Sequence, residues 1–96
     1  GAAEAFAEAQ RLSQKKADLQ TAMFVIDLGH RKLEQQDLAG AIASFREAVR
    51  LAPEHADAHY RLGLALHSQG TAVEAHSHLE KARQLAPYLE PPEPET

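Results

Sequence analysis

Apolar residues recur along this chain at intervals of three and four. That is the period of a helix with one buried face, and it does not fit the two-residue alternation of a strand. Ala41, Phe45, Ala48 and Leu51 form one such stripe, and Ala75, Leu79, Ala82 and Leu85 form another. The pattern predicts helices over 21–35, 38–51, 55–69 and 72–86. Turn chemistry marks the ends of these segments. Asp37 is suited to capping the second helix. Thr71-Ala72-Val73-Glu74 reads as a capping box, with Glu74 reaching back to the amide of Thr71. Gly70 can adopt the left-handed conformation that ends the helix before it. Pro53 and Pro87 stop the second and fourth helices, because proline cannot continue the hydrogen-bond ladder.

The chain also repeats itself at a constant offset. Leu28-Gly29 falls on Leu62-Gly63, Ala41 on Ala75, Ala48 on Ala82, and Leu51-Ala52-Pro53 on Leu85-Ala86-Pro87. Phe45 falls on Leu79. Each unit is therefore a helix A followed by a helix B. Gly29, Gly63, Ala41 and Ala75 are small where helices must cross closely, and Phe45 and Leu79 are expected to fill the gap between units. Burying one such side chain contributes roughly 1.5–3 kcal/mol.

The two ends differ. Ala2, Phe6, Ala9 and Leu12 have the spacing of Ala41, Phe45, Ala48 and Leu51, but at a longer offset than the repeat, so the chain is expected to start in helix B of an earlier unit. A break near Asp18, which can cap a new helix, is expected to separate that helix from the next. The alternative is one fused rod, whose first arm two chains can exchange to form a swapped dimer. At the other end, Ile42 and Val49 should meet the following unit. Their equivalents, His76 and Arg83, are polar and suit the water-facing side of a terminal repeat. After Pro87 the tail is rich in proline and glutamate and is expected to be extended. These features divide the chain into a partial repeat with linker over 1–20, repeats over 21–55 and 56–89, and a disordered tail over 90–96. They suggest a native C-terminus, and an N-terminus cut from a longer array.

Leu28-Gly29 with Ala41, Phe45, Ala48 and Pro53, and Leu62-Gly63 with Ala75, Leu79, Ala82 and Pro87, resemble the tetratricopeptide repeat. The resemblance covers residues 22–89. It departs from the family pattern where aromatic residues are common: Val25 and Lys32 stand there in the first unit, His59 and Leu66 in the second. It implies an all-α fold, a short right-handed α-solenoid of about five helices. It also implies a protein-interaction scaffold whose concave groove is lined by the A helices. Ile26, His30, Leu33 and Glu34 would face inward from the first unit, and Tyr60, Leu64, His67 and Ser68 from the second. Some family members clamp a peptide carboxylate with Lys and Asn side chains. Here Asp27 and Arg61 occupy facing positions but His30 and Leu64 stand where asparagines belong, so no clamp is expected.

Composition narrows the function. The formal charge of −4 is mostly carried by Glu90, Glu93 and Glu95 in the tail, which leaves a nearly neutral body. Such a body lacks the basic footprint of a nucleic-acid binder. No apolar run approaches the ~20 residues that span a bilayer, and no helix has the cationic face of a membrane-surface helix. A soluble, cytoplasmic chain is expected rather than a secreted or periplasmic one. There is no cysteine, no phosphate-cradling glycine loop and no nucleophile motif, so neither catalysis nor a cofactor is expected. Of the six histidines, His55 and His59 lie four apart and share a helix face, whereas His76 and His78 point apart. Two imidazoles fall short of a structural zinc site, so no metal is expected. His30 and His67, whose free side chain titrates near ~6.5, would give the groove a mild pH response. The expected partner is a protein or peptide. The alternatives are homodimerisation through the N-terminal helix and a regulatory appendage of an upstream enzyme domain.

Overall fold

The computed structural model describes the backbone of residues 2–86 and the side chains of residue 5 and residues 7–86. The proline-rich tail and the stop expected at Pro87 lie outside the described residues. Four helices follow one another: α1 (Ala2–Glu34), α2 (Leu38–Leu51), α3 (Ala56–Gln69) and α4 (Ala72–Leu85). Each packs on the next, so α1–α2 and α3–α4 are hairpins and α2 against α3 is the contact between them. This is the all-α stack of hairpins that the repeat implied.

The break expected near Asp18 does not occur. The first two predicted segments are one helix of 33 residues, about 50 Å long at 1.5 Å per residue, and this is why there are four helices rather than five. Nothing between Ala2 and Leu28 interrupts the helical ladder, since neither glycine nor proline occurs there. Asp18 does not cap; its carboxylate accepts a hydrogen bond from Gln14 Nε2, one turn earlier, at 3.0 Å. The side chain therefore supports the continuing helix instead of starting a new one.

Both helix A segments end in the same way. Gly70 has φ 96°, its amide donates to the His67 carbonyl, and the Thr71 amide donates to the Leu66 carbonyl. This is a Schellman ending. At the equivalent place in the first hairpin, Gln36 has φ 63°, its amide donates to Leu33, and the Asp37 amide donates to Lys32. A side chain in that conformation costs roughly 1–2 kcal/mol. Asp37 then caps α2, its Oδ1 accepting from the Gly40 amide at 2.9 Å. The capping box expected at Thr71 is not formed. Thr71 Oγ1 donates instead to Gln69 Oε1, and Glu74 accepts two hydrogen bonds from Arg46 of α2, at 2.5 and 3.1 Å. A two-point guanidinium–carboxylate pair is the stronger use of Glu74, and it ties the two B helices together.

The core is a single cluster of alanines with a few large side chains, among them Ile26, Ile42, Phe45, Leu62 and Leu66. Phe45 and Leu79 close their own hairpins rather than the gap between hairpins, as the sequence had implied. A Cβ on Gly29 would lie 2.5 Å from Phe45 Cε1, and one on Gly63 would lie 2.7 Å from Leu79 Cγ. Each large side chain thus occupies the volume vacated by a glycine on the opposite helix. Between hairpins, Ile42 is buried and Val49 packs on the same cluster as Ala58 and Leu62 of α3.

Gly29→Ala should destabilise the chain by about 1–3 kcal/mol despite alanine's better helix propensity. Combining it with Phe45→Leu should cost less than the sum of the single changes. Gln36→Gly should stabilise by about 1 kcal/mol, by removing left-handed strain at a position where glycine is free of it. Urea unfolding of the four variants, followed by circular dichroism, measures each difference.

Candidate functional site

The repeat makes α3 the structural counterpart of the C-terminal half of α1, so equivalent residues face the same side of the stack. His30, Leu33 and Glu34 of α1 are the repeat equivalents of Leu64, His67 and Ser68 of α3. Leu33 is 39% exposed and Leu64 37%, while Glu34, His67 and Ser68 are exposed. His30 and Tyr60 are half-buried. The His30 ring meets Phe45 edge-on, with centroids 5.9 Å apart and planes at 77°, an arrangement that favours the ring quadrupole and fixes the imidazole in place. Ile26 differs from its neighbours: at 4% exposure it belongs to the core rather than to the surface.

Sequence reasoning missed an exposed apolar stripe on α1. Met23 and His30 lie two helical turns apart, and so do Leu12 and Leu19, which puts all four along one stripe of α1. Leu12, Leu19 and Met23 are exposed, so the apolar line continues along the rod beyond the first hairpin. The stripe follows from the 3.6-residue period carried through α1 as one uninterrupted helix, and a break near Asp18 would hide it. A cleft opens where the rod overshoots the end of α2, between Leu19 on one side and Leu51, Ala52 and Pro53 on the other, with Asp18 and His55 at its rim. Arg61 is half-exposed and is held by Asp57 at 3.0 Å, one turn before it.

The histidines are arranged differently from their spacing. His59 does not pair with His55. It is buried, and its ring stacks on His78 of α4, with centroids 5.4 Å apart and planes at 26°. The two Nδ1 atoms are 3.1 Å apart, and His59 Nε2 lies 2.8 Å from the Pro53 carbonyl oxygen. A carbonyl only accepts, so Nε2 of His59 carries the proton and donates. In the Nδ1–Nδ1 contact one of the two rings donates and the other accepts. This chain joins the turn between the hairpins to α4 and leaves no buried side-chain nitrogen or oxygen unpaired among the described residues. No group of three or more potential metal ligands occurs among those residues.

Burial, and then the neighbouring His59, hold the His78 imidazole below its ordinary range; Glu74 on α4 opposes this in part, and Arg46 on α2 adds to it. A histidine whose pKa is lower in the folded chain binds fewer protons there than when unfolded. Its contribution to stability is present above pH ~6.5 and lost as the pH falls below that value. The melting temperature should therefore drop between pH 7.5 and 5.5, and His59→Leu/His78→Leu should flatten that drop. Thermal melts across the pH range give the answer.

No helix among the described residues is long and apolar enough to cross a membrane. No curated protein matches the chain significantly. A tetratricopeptide-repeat family model matches residues 26–90, about two thirds of the sequence. Repeats of this family generally mediate contacts between proteins and are typically non-catalytic. Glycine-crossed hairpins recurring in register and this match lead to one assignment: the chain belongs to the tetratricopeptide-repeat family.

Proposed function

We propose that the chain is a non-catalytic scaffold that binds a protein or peptide on the concave wall of its A helices. The observation that carries this reading is the pair of leucines on consecutive A helices, Leu33 and Leu64, each more than a third exposed. Around them stand polar groups with hydrogen-bonding capacity: Glu34, His67 and the Tyr60 hydroxyl, with His30 held beside them by Phe45. An apolar floor with polar groups at its margin suits a segment that buries one or two apolar side chains and satisfies its backbone at the edges. Arg61, already engaged by Asp57, does not provide a free cation for a peptide carboxylate. Recognition is therefore by shape and apolar contact. Met23 and Leu19 lengthen the surface along the rod, so a ligand longer than two repeats has further contacts available.

A phage-displayed library of linear peptides selected on the chain should yield binders. Leu64→Glu should weaken the selected peptides at least tenfold by fluorescence anisotropy, and Tyr60→Ala should weaken them several-fold. Val73→Glu, on the exposed side of α4, should leave affinity unchanged. Failure to select any binder, or binders indifferent to Leu64→Glu, would remove the groove from consideration.

A further inference from the structure

We infer that His59 and His78 form a proton-operated clasp on α4: their closed contact accommodates one added proton but not two, so in acid the rings let go and α4 leaves α3.

The proton count follows from what surrounds each ring nitrogen. His59 Nε2 lies 2.8 Å from the Pro53 carbonyl oxygen and needs a proton to bond it. The two Nδ1 atoms, 3.1 Å apart, need one proton between them. With none there, two lone pairs meet; with two, a pair of N–H groups meet, and both arrangements repel. His78 Nε2 lies 3.8 Å from Glu74 Oε2. That is beyond hydrogen-bond range but close enough for the carboxylate to favour a charged ring. The closed contact therefore holds two protons, which leave the pair neutral, or three, which give it a single charge. A fourth makes both rings imidazolium ions with opposed N–H groups. Buried His59 would then carry a charge whose bonded partners are a carbonyl and a second cation, an arrangement that is costly away from water.

The surrounding charges act in the same sense. Arg46 of α2 donates two hydrogen bonds to Glu74 and holds its carboxyl below the ordinary range, so Glu74 is an anion where the rings titrate. Burial and the neighbouring His59 oppose charge on His78, and Arg46 adds to them, while Glu74 favours it. One added proton thus has a counter-charge at hand and a second has none. His76, Glu80 and Lys81 of α4 line the outer side of the same cleft, and His55 stands one turn before His59.

Release falls on α4 rather than on the turn between the hairpins, because protonation leaves the bond from His59 Nε2 to Pro53 intact. Apart from the clasp, α4 is held mainly by small contacts. Its buried side chains are Ala75 and Ala82, and Leu79 fills the space beside Gly63. The Arg46–Glu74 pair adds an exposed tie to α2.

Native-state hydrogen exchange of the whole chain, corrected for the pH dependence of intrinsic exchange, reads the opening. From about pH 7 to pH 5 the opening constant of α4 amides should rise, by up to about tenfold per pH unit for each proton taken up, and that of α2 amides should rise less. His78→Asn places an amide that can donate to or accept from His59 Nδ1 in either protonation state, so it should remove most of the rise. His55→Gln/His76→Gln should retain it. Nitrogen-15 spectra of the imidazoles in the unaltered chain give a check that needs no variant. The two rings should titrate as one coupled unit, the first proton entering while α4 stays protected and the second only as that protection is lost. Three results would overturn the inference. One is a pair of imidazolium rings with α4 still protected. Another is α4 opening no more than α2 in acid. The third is a folded His78→Asn variant whose α4 responds to pH as the unaltered chain does.

Discussion

The close crossing of helix A and helix B within each hairpin is the constraint on which the rest of the structure depends. Glycine on one helix and a large side chain on the other form a single packing unit, Gly29 with Phe45 and Gly63 with Leu79. With aromatics scarce and alanines filling the remaining core positions, little apolar volume is available elsewhere. Helices therefore have to come near one another for their alanines to touch, and dispersion contacts between small side chains add up only at short range. The crossing sets the separation of the axes, and that separation lets Ile42, Leu62 and Leu66 close the gap to the next hairpin. The surface positions on the A helices inherit their placement from this geometry.

Much of this was legible in the sequence because repetition converts a weak local signal into a strong one. The glycines, the alanine stripes, the cap at Asp37 and the left-handed Gly70 all sit where elementary stereochemistry places them. What could not be read has a common physical character: in each case a side chain had two competing uses. Asp18 is a capping residue by type, yet in an alanine-rich stretch without a breaker it serves the helix that passes through it. Glu74 fits a capping box, but a guanidinium from the other hairpin is the better partner. Gln36 occupies a conformation that its residue type disfavours, because the ending of α1 and the Asp37 cap together determine it.

The surface was harder to read than the core. Ile26 and Tyr60 hold the same place in successive repeats, yet one is buried and the other half-exposed, so a repeat register alone does not distinguish wall from support. The contact of His59 with His78 spans two helices and leaves no trace in local spacing. It replaces an aromatic common at that family position with a polar ring whose nitrogens are both occupied, which is how a histidine comes to be tolerated inside an alanine core.

The overhang of α1 has a consequence for how order spreads along the chain. A free helix of some fifteen residues is marginal in water because its first turn is expensive to form. Here that first turn is already secured, since residues packed against α2 template everything before them. Extension towards the N-terminus is then a matter of adding residues one at a time, each at small free-energy change, and melting proceeds from the tip inward. A neighbour that seats on any part of the overhang fixes all the turns between itself and the hairpin, so the arm registers occupancy as helix length.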